Sequence, residues 1–149
     1  MGKEFYKVIP HDEGSALPTA AQLNCTFGIL QREILGLVNL GEGGLKFSAD
    51  NVRMFLVVPM QPSEELERVF LNLATRIQKT VLDEIRQPDR RALDEVVFEV
   101  LGLTAGEREA VYEAVVALVR ARLDKAQSLK NVTLQPESFP TRVKGSPGG

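Results

Sequence analysis

Apolar residues recur at helical spacing along most of this chain, interrupted twice by short β-prone runs. Phe5-Tyr6-Lys7-Val8-Ile9-Pro10 is β-prone and stops at a proline, so it predicts a short strand. From Leu17 the positions Leu23, Phe27, Leu30, Ile34 and Leu37 keep helical period and predict one amphipathic helix over about 16–38. Asn39-Leu40-Gly41-Glu42-Gly43-Gly44 then supplies the glycines of a C-cap and loop. Leu45–Phe47 and Phe55–Val58 read as two short strands, joined by a turn or single helical turn at Ser48–Val52, and Pro59 and Pro62 close the second.

The second half is helical in pattern. Ser63 can cap a helix whose first turn carries Glu64, Glu65 and Glu67, and its stripe Leu66, Phe70, Leu73, Ile77, Val81 and Ile85 predicts continuity up to a stop at Pro88. Asp89 can cap the next helix, with apolar face Leu93, Val96, Val97, Val100 and Leu101 ending at Gly102. Thr104-Ala105-Gly106-Glu107 has the capping-box pattern, and Val111, Val115, Leu118, Val119 and Leu123 carry that helix to about Ala126. From Leu129, Pro136, Pro140, Pro147 and the terminal glycines predict an extended or disordered tail. The expected architecture is α+β, mainly α. A small incomplete sheet on one helix (1–62) precedes a three-helix bundle (63–128) and a flexible tail (129–149).

Composition narrows the class. At 149 residues, 44% apolar and 26% charged, the chain is globular in character and sized for one domain. No apolar run approaches a membrane span and the amino terminus lacks a signal-peptide core, so a cytoplasmic protein with no membrane contact is expected. Net charge is -2, and only residues 128–149 are net positive, so any DNA contact must be local or borrowed from a partner.

One cysteine and one histidine leave too few ligands for a zinc site. Cys25 sits among Leu23, Phe27 and other apolar residues, where a thiol packs as an inert hydrophobe, and His11 lies in a polar turn beside two acids. The Gly41–Gly44 cluster follows a helix and precedes a strand, the wrong order for a phosphate cradle. Asp94, Glu95 and Glu99 share one helix, where carboxylates ordinarily form a solvated face. No catalytic, cofactor-binding or metal-binding residue is therefore expected. Lys46, Arg53, Arg90 and Arg91 are the candidates for contact with DNA phosphates.

Two ordered blocks carry a family resemblance. Phe5–Pro10, Gln22-Leu23-Asn24-Cys25-Thr26, Arg32-Glu33-Ile34-Leu35-Gly36 and Asn39–Lys46 resemble the end of a target-recognition region in bacterial amino-DNA methyltransferases of restriction-modification and related defence systems. Cys25 stands where that family usually has Ser, and Gly44 where it often has Ala. Arg90-Arg91-Ala92-Leu93-Asp94, Val97-Phe98, Leu101-Gly102-Leu103-Thr104, Glu107-Arg108, Val111-Tyr112 and Arg122–Ala126 are similar to the helical extension that follows in many of those enzymes. Together the blocks cover about residues 5–128.

The resemblance implies a recognition or assembly portion whose S-adenosylmethionine site and Pro-Pro-aromatic catalytic motif lie upstream, on a separate or longer polypeptide. Neither motif occurs here, so no catalytic residue is carried over. The implied partners are a catalytic methyltransferase domain or subunit, and DNA through it. A sheet edge left unpaired by missing strands predicts a partner strand or a homodimer. The competing expectation is a helical protein-interaction module that never touches DNA.

Overall fold

A computed structural model describes residues 7–38 and 43–133. Among them the chain is mainly helical with one small antiparallel sheet. A 3-10 turn at Glu13–Ser15 leads into α1 (Ala16–Asn24) and α2 (Thr26–Leu35). The hairpin strands β1 (Leu37–Val38) and β2 (Leu45–Lys46) follow, then α3 (Ala49–Arg53), α4 (Glu64–Ala74), α5 (Val81–Glu84), α6 (Pro88–Val100) and α7 (Ala105–Thr133). In the sheet Leu37 faces Lys46 and Val38 faces Leu45. No helix among the described residues is long and apolar enough to cross a membrane.

The single helix expected over 16–38 is two helices, broken at Cys25 and ending at Leu35, and Leu37 and Val38 belong to β1 instead. Cys25 takes an extended backbone (φ -73°, ψ 171°) and caps α2, its sulfur accepting from the Gly28 amide at 3.4 Å while the thiol donates to Gln22 O at 3.1 Å. The break turns the Thr26 amide and hydroxyl toward the Asp94 carboxylate, each at 2.6 Å. Apolar periodicity cannot report this, because a one-residue kink leaves Leu23, Phe27 and Leu30 on one face. Gly28 permits the tight crossing: a Cβ there would lie 2.5 Å from the carbonyl oxygens of Gln22 and Leu23.

The expected strand at Phe55–Val58 pairs with no other strand among the described residues. Two buried glutamines serve it instead. Gln31 accepts from Leu56 N (2.6 Å) and donates to Leu56 O (3.1 Å), and Gln22 accepts from Val58 N (2.8 Å) and donates to Val58 O (2.9 Å). Of the strand expected at 5–10, Phe5 and Tyr6 lie outside the described residues, and 7–10 run without a ladder.

The helix expected from 63 to about 85 ends at Ala74, and Ile77, placed in its core stripe, is 92% exposed. The cause is ionic. Arg76 turns away to bind Glu84 and Asp89, and the Lys79 amide donates to Glu84 Oε1 at 2.6 Å, so the chain folds back into α5. Pro88 opens α6 at its first turn rather than merely ending the previous helix; Asp89, inside the helix and not at its cap position, binds Arg76 and takes the Arg90 amide at 2.8 Å. The Thr104–Glu107 capping box forms: Thr104 N donates to Glu107 Oε2 at 2.8 Å and Glu107 N to Thr104 Oγ1 at 3.3 Å. α7 then runs through 126 and on to Thr133, so the first residues assigned to a tail are helical; 134–149 lie outside the described residues.

Two apolar clusters hold the helices together. Ala21 and Cys25 pack with Leu66, Val69, Leu73, Leu93 and Val97, joining α1 to α4 and α6. Ile29 packs with Ile85, Phe98, Val111, Tyr112, Val115 and Val119, joining α2 to α5, α6 and α7, and Phe27 and Leu101 touch both clusters. The core thus crosses residue 62.

Candidate recognition surfaces

Asp94, expected on a solvated face, is fully buried. Its Oδ2 accepts from Thr26 Oγ1 and from Tyr112 OH (2.7 Å) while Oδ1 takes the Thr26 amide, so one carboxylate ties α2, α6 and α7. Burial pushes its pKa up, against the opposing pull of those donors and of Arg90. Burial, then the adjacent Asp94, likewise raises the Tyr112 phenol. Glu95 is exposed and binds Arg108 at 2.5 Å, and Glu99 is exposed.

A second network fixes the α4–α6 corner. Glu84 accepts from Arg76 at 2.7 and 3.0 Å, from the Lys79 amide, and from Arg90 Nε at 3.0 Å. Hydrogen bonds from Arg76 lead the causes that hold its carboxyl down at about 2. Arg90, a candidate phosphate contact by sequence, is 3% exposed, and its other donor goes to the Asn24 carbonyl. Its guanidinium is committed inside the fold.

The other three candidates are accessible to different degrees. Lys46 is exposed on β2, and exposed Arg53 meets Asp50 on its own helix at 3.2 Å. Arg91 is half-buried, donates to Ile85 O at 2.8 Å, and stacks 3.4 Å from the Tyr112 ring centroid. It borders a cleft of about 340 Å³ between α5 and α7, where Ile85, Tyr112 and Val116 make an apolar floor and Arg86 and Arg120 stand at the rim. Both rim guanidiniums are exposed and have no ionic partner among the described residues. The pattern did not single out Arg86 or Arg120, because only the packing of α5 on α7 brings them together. Glu113 is the acid in this lining.

The thiol of Cys25 is enclosed and pushed up to about 12, chiefly by burial. His11 is exposed on a groove of about 640 Å³ between 8–15 and 57–62, floored by Pro18, Thr19 and Gln22, so the two are not brought together as nucleophile and base. Among the described residues no group of three His, Cys, Asp or Glu is placed to hold a metal.

The amino-terminal half carries several exposed apolar side chains. Phe47 and Phe55 pack at 6.0 Å between ring centroids, and Gly36 lies against Phe47, where a Cβ would come within 3.1 Å of the ring. In the same segments of the chain Ile34, Leu37, Met54 and Leu56 are 63, 61, 66 and 57% exposed. Comparison of the chain with known protein families, with characterised proteins and with solved structures returns no match.

Proposed function

We propose that this chain is a non-catalytic recognition and assembly portion of a bacterial amino-DNA methyltransferase or restriction-modification enzyme, docked on the catalytic part through its exposed apolar side chains. The observation that carries the docking is the exposure of Ile34, Leu37, Met54 and Leu56 in the segments that flank the Phe47–Phe55 pair. Large side chains exposed together on one surface mark a contact with another polypeptide.

The identity of the partner rests on the resemblance, and the structure gives its motif residues a physical use. Asn24, Thr26 and Glu33 belong to the first block; Arg90, Asp94 and Arg122 belong to the second. They pair across the blocks: Arg90 with the Asn24 carbonyl, Thr26 with Asp94, and Arg122 with Glu33 at 2.7 and 2.9 Å. Arg122 also reaches the Gly43 carbonyl. These pairs fasten the first block to the second. This agreement between order in the sequence and contact in space supports the reading.

The test is reconstitution. The chain alone should transfer no methyl group from labelled S-adenosylmethionine. It should co-migrate with the methyltransferase polypeptide encoded beside it, and Leu37→Asp/Leu56→Asp should abolish co-migration while leaving the fold intact. Co-migration unaffected by those changes refutes the docking face. A second reading, direct contact with DNA phosphates, is favoured by the Arg86–Arg91–Arg120 cleft. It predicts salt-sensitive duplex binding that Arg86→Glu/Arg120→Glu weakens, with Lys46→Glu/Arg53→Glu as the parallel test of the hairpin side. No binding in any of these proteins favours an interaction module without DNA contact.

A further inference from the structure

The segment Phe55–Pro59 has no ladder partner among the described residues, and two side chains take the place of a neighbouring strand. Gln31 and Gln22 are 8% and 4% exposed, and each clasps both the N–H and the C=O of one residue, Leu56 and then Val58. Residues two apart facing one edge is strand geometry, so the groups of the residues between them face the opposite edge. There the N–H and C=O of Val57 have no partner among the described residues, and Val57 is 39% exposed. The C=O groups of Phe55 and Pro59 are unpartnered on the same terms.

From this we infer that the Phe55–Pro59 edge receives an extended strand from a different polypeptide, added by main-chain hydrogen bonds. Backbone groups at strand spacing are matched by another extended backbone. Val57 lines the groove it shares with Val8, Ile9, Pro10 and Asp12, whose lining holds no Lys or Arg, which suits a polypeptide and not a phosphate backbone. The glutamine clasps hold the strand in its paired conformation beforehand, which lowers the ordering cost of association.

A second copy of this chain is a poor occupant. An antiparallel self-pairing centred on Val57 would place Phe55 opposite Pro59 of the other copy. Pro59 has no N–H, and the Phe55 N–H is already given to Val52 O at 3.2 Å, so that flanking pair contributes no bond. A different strand with free amides makes both bonds of the Val57 pair and also donates to the carbonyls of Phe55 and Pro59. The edge is thus guarded against itself and open to another sequence. The inference deepens the docking reading and rests on it in one respect, that this side of the molecule meets another polypeptide.

The test titrates the nitrogen-15-labelled full chain with a short soluble peptide of alternating valine and threonine. The Val57 amide resonance should move downfield, and its hydrogen exchange should slow by at least about tenfold at saturation. Val57→Pro deletes the N–H yet suits an extended backbone and leaves both glutamine clasps, and it should weaken peptide binding by at least about tenfold. Val57→Thr should bind as the wild type does. A Val57 amide unmoved up to the solubility limit of the peptide overturns the inference, as does equal binding by Val57→Pro. A Val57 shift that follows protein concentration without peptide overturns the choice of occupant. Should Val57→Pro fail to fold, the exchange measurement on the wild type decides alone. A responsive Val57 with failed co-migration would remove the methyltransferase assignment and leave the strand edge standing.

Discussion

Asp94 offers the sharpest test of how this fold is held, because its charge and its hydrogen bonds pull in opposite directions. The carboxylate is fully buried and accepts three donors, the Thr26 amide, the Thr26 hydroxyl and the Tyr112 phenol. Replacement by Ala leaves all three without an acceptor. An orphaned buried donor costs roughly 1–3 kcal/mol, and since such terms are not additive within one network, Asp94→Ala should lose about 3–5 kcal/mol. Asp94→Asn is a different experiment. Its amide oxygen keeps the Thr26 amide, and its NH2 can donate to the two hydroxyls, which accept as well as donate. The raised carboxyl pKa means that desolvation of the charge outweighs its donors, so removing the charge forfeits little. The expected loss for Asn is about 1–2 kcal/mol.

Urea unfolding at neutral pH, read from midpoints at constant slope, separates the two outcomes. The pH dependence adds a signed check. A folded-state pKa above the unfolded one means the acid binds protons more readily when folded. The stabilisation from that proton is complete below the unfolded value near 3.8 and is lost as pH rises through the folded value. Wild type should therefore gain on Asp94→Asn as pH falls through that window. Equal losses for Asn and Ala at neutral pH, or a gap that widens against the wild type on acidification, would refute the claim that burial dominates this carboxylate.

Glu84 should behave in the opposite sense. Its pKa, held at about 2 mainly by Arg76, makes its contribution complete above the ordinary value of 4.5 and lost as pH falls toward 2, so Glu84→Gln should flatten that part of an acid-unfolding curve followed by circular dichroism. Arg90→Ala breaks the buried pair with Glu84 and should lose about 3–5 kcal/mol in the same urea assay. Gly28→Ala forces a Cβ to 2.5 Å from two carbonyl oxygens and should lose about 1–3 kcal/mol; a neutral result would mean the α1–α2 crossing is looser than described. Cys25, enclosed and pushed up to about 12, should resist iodoacetamide at mildly alkaline pH and react only as fast as the chain opens, so rapid native-state alkylation would contradict its burial.

What pattern could read here was local. The capping box at Thr104, the cap at Ser63 and the strand at Leu45 depend on neighbours within a few positions, and each is found. Failures came where a distant polar partner overrode local preference. Ile77 keeps helical period with Leu73, yet Arg76 beside it binds Glu84 and Asp89 and pulls the chain out of the helix. Asp94 looked like its neighbours Glu95 and Glu99, and only the arrival of Thr26, 68 residues away, gives it a reason to be inside. Phe55–Val58 has strand composition, and its partners turned out to be glutamine side chains, which no pairing pattern encodes. The Arg86–Arg120 rim was hidden for the same reason.

Several long-range polar contacts converge on α1, α2 and the hairpin from the helices that follow. Asn24, Thr26, Glu33 and Gly43 are met by Arg90, Asp94, Arg122 and Arg122 again, so the break between α1 and α2 and the approach to the hairpin are both held from α6 and α7. The glutamines that clasp Leu56 and Val58 project from those same two helices, α1 and α2. A strut running from α7 through α2 to the strand edge is therefore continuous in polar contacts as well as in the core that crosses residue 62. Buried hydrogen-bonded groups fix orientation more sharply than apolar packing, which tolerates sliding. The helices 63–133 thereby set the angle at which the Phe55–Pro59 segment and its apolar flanks are held.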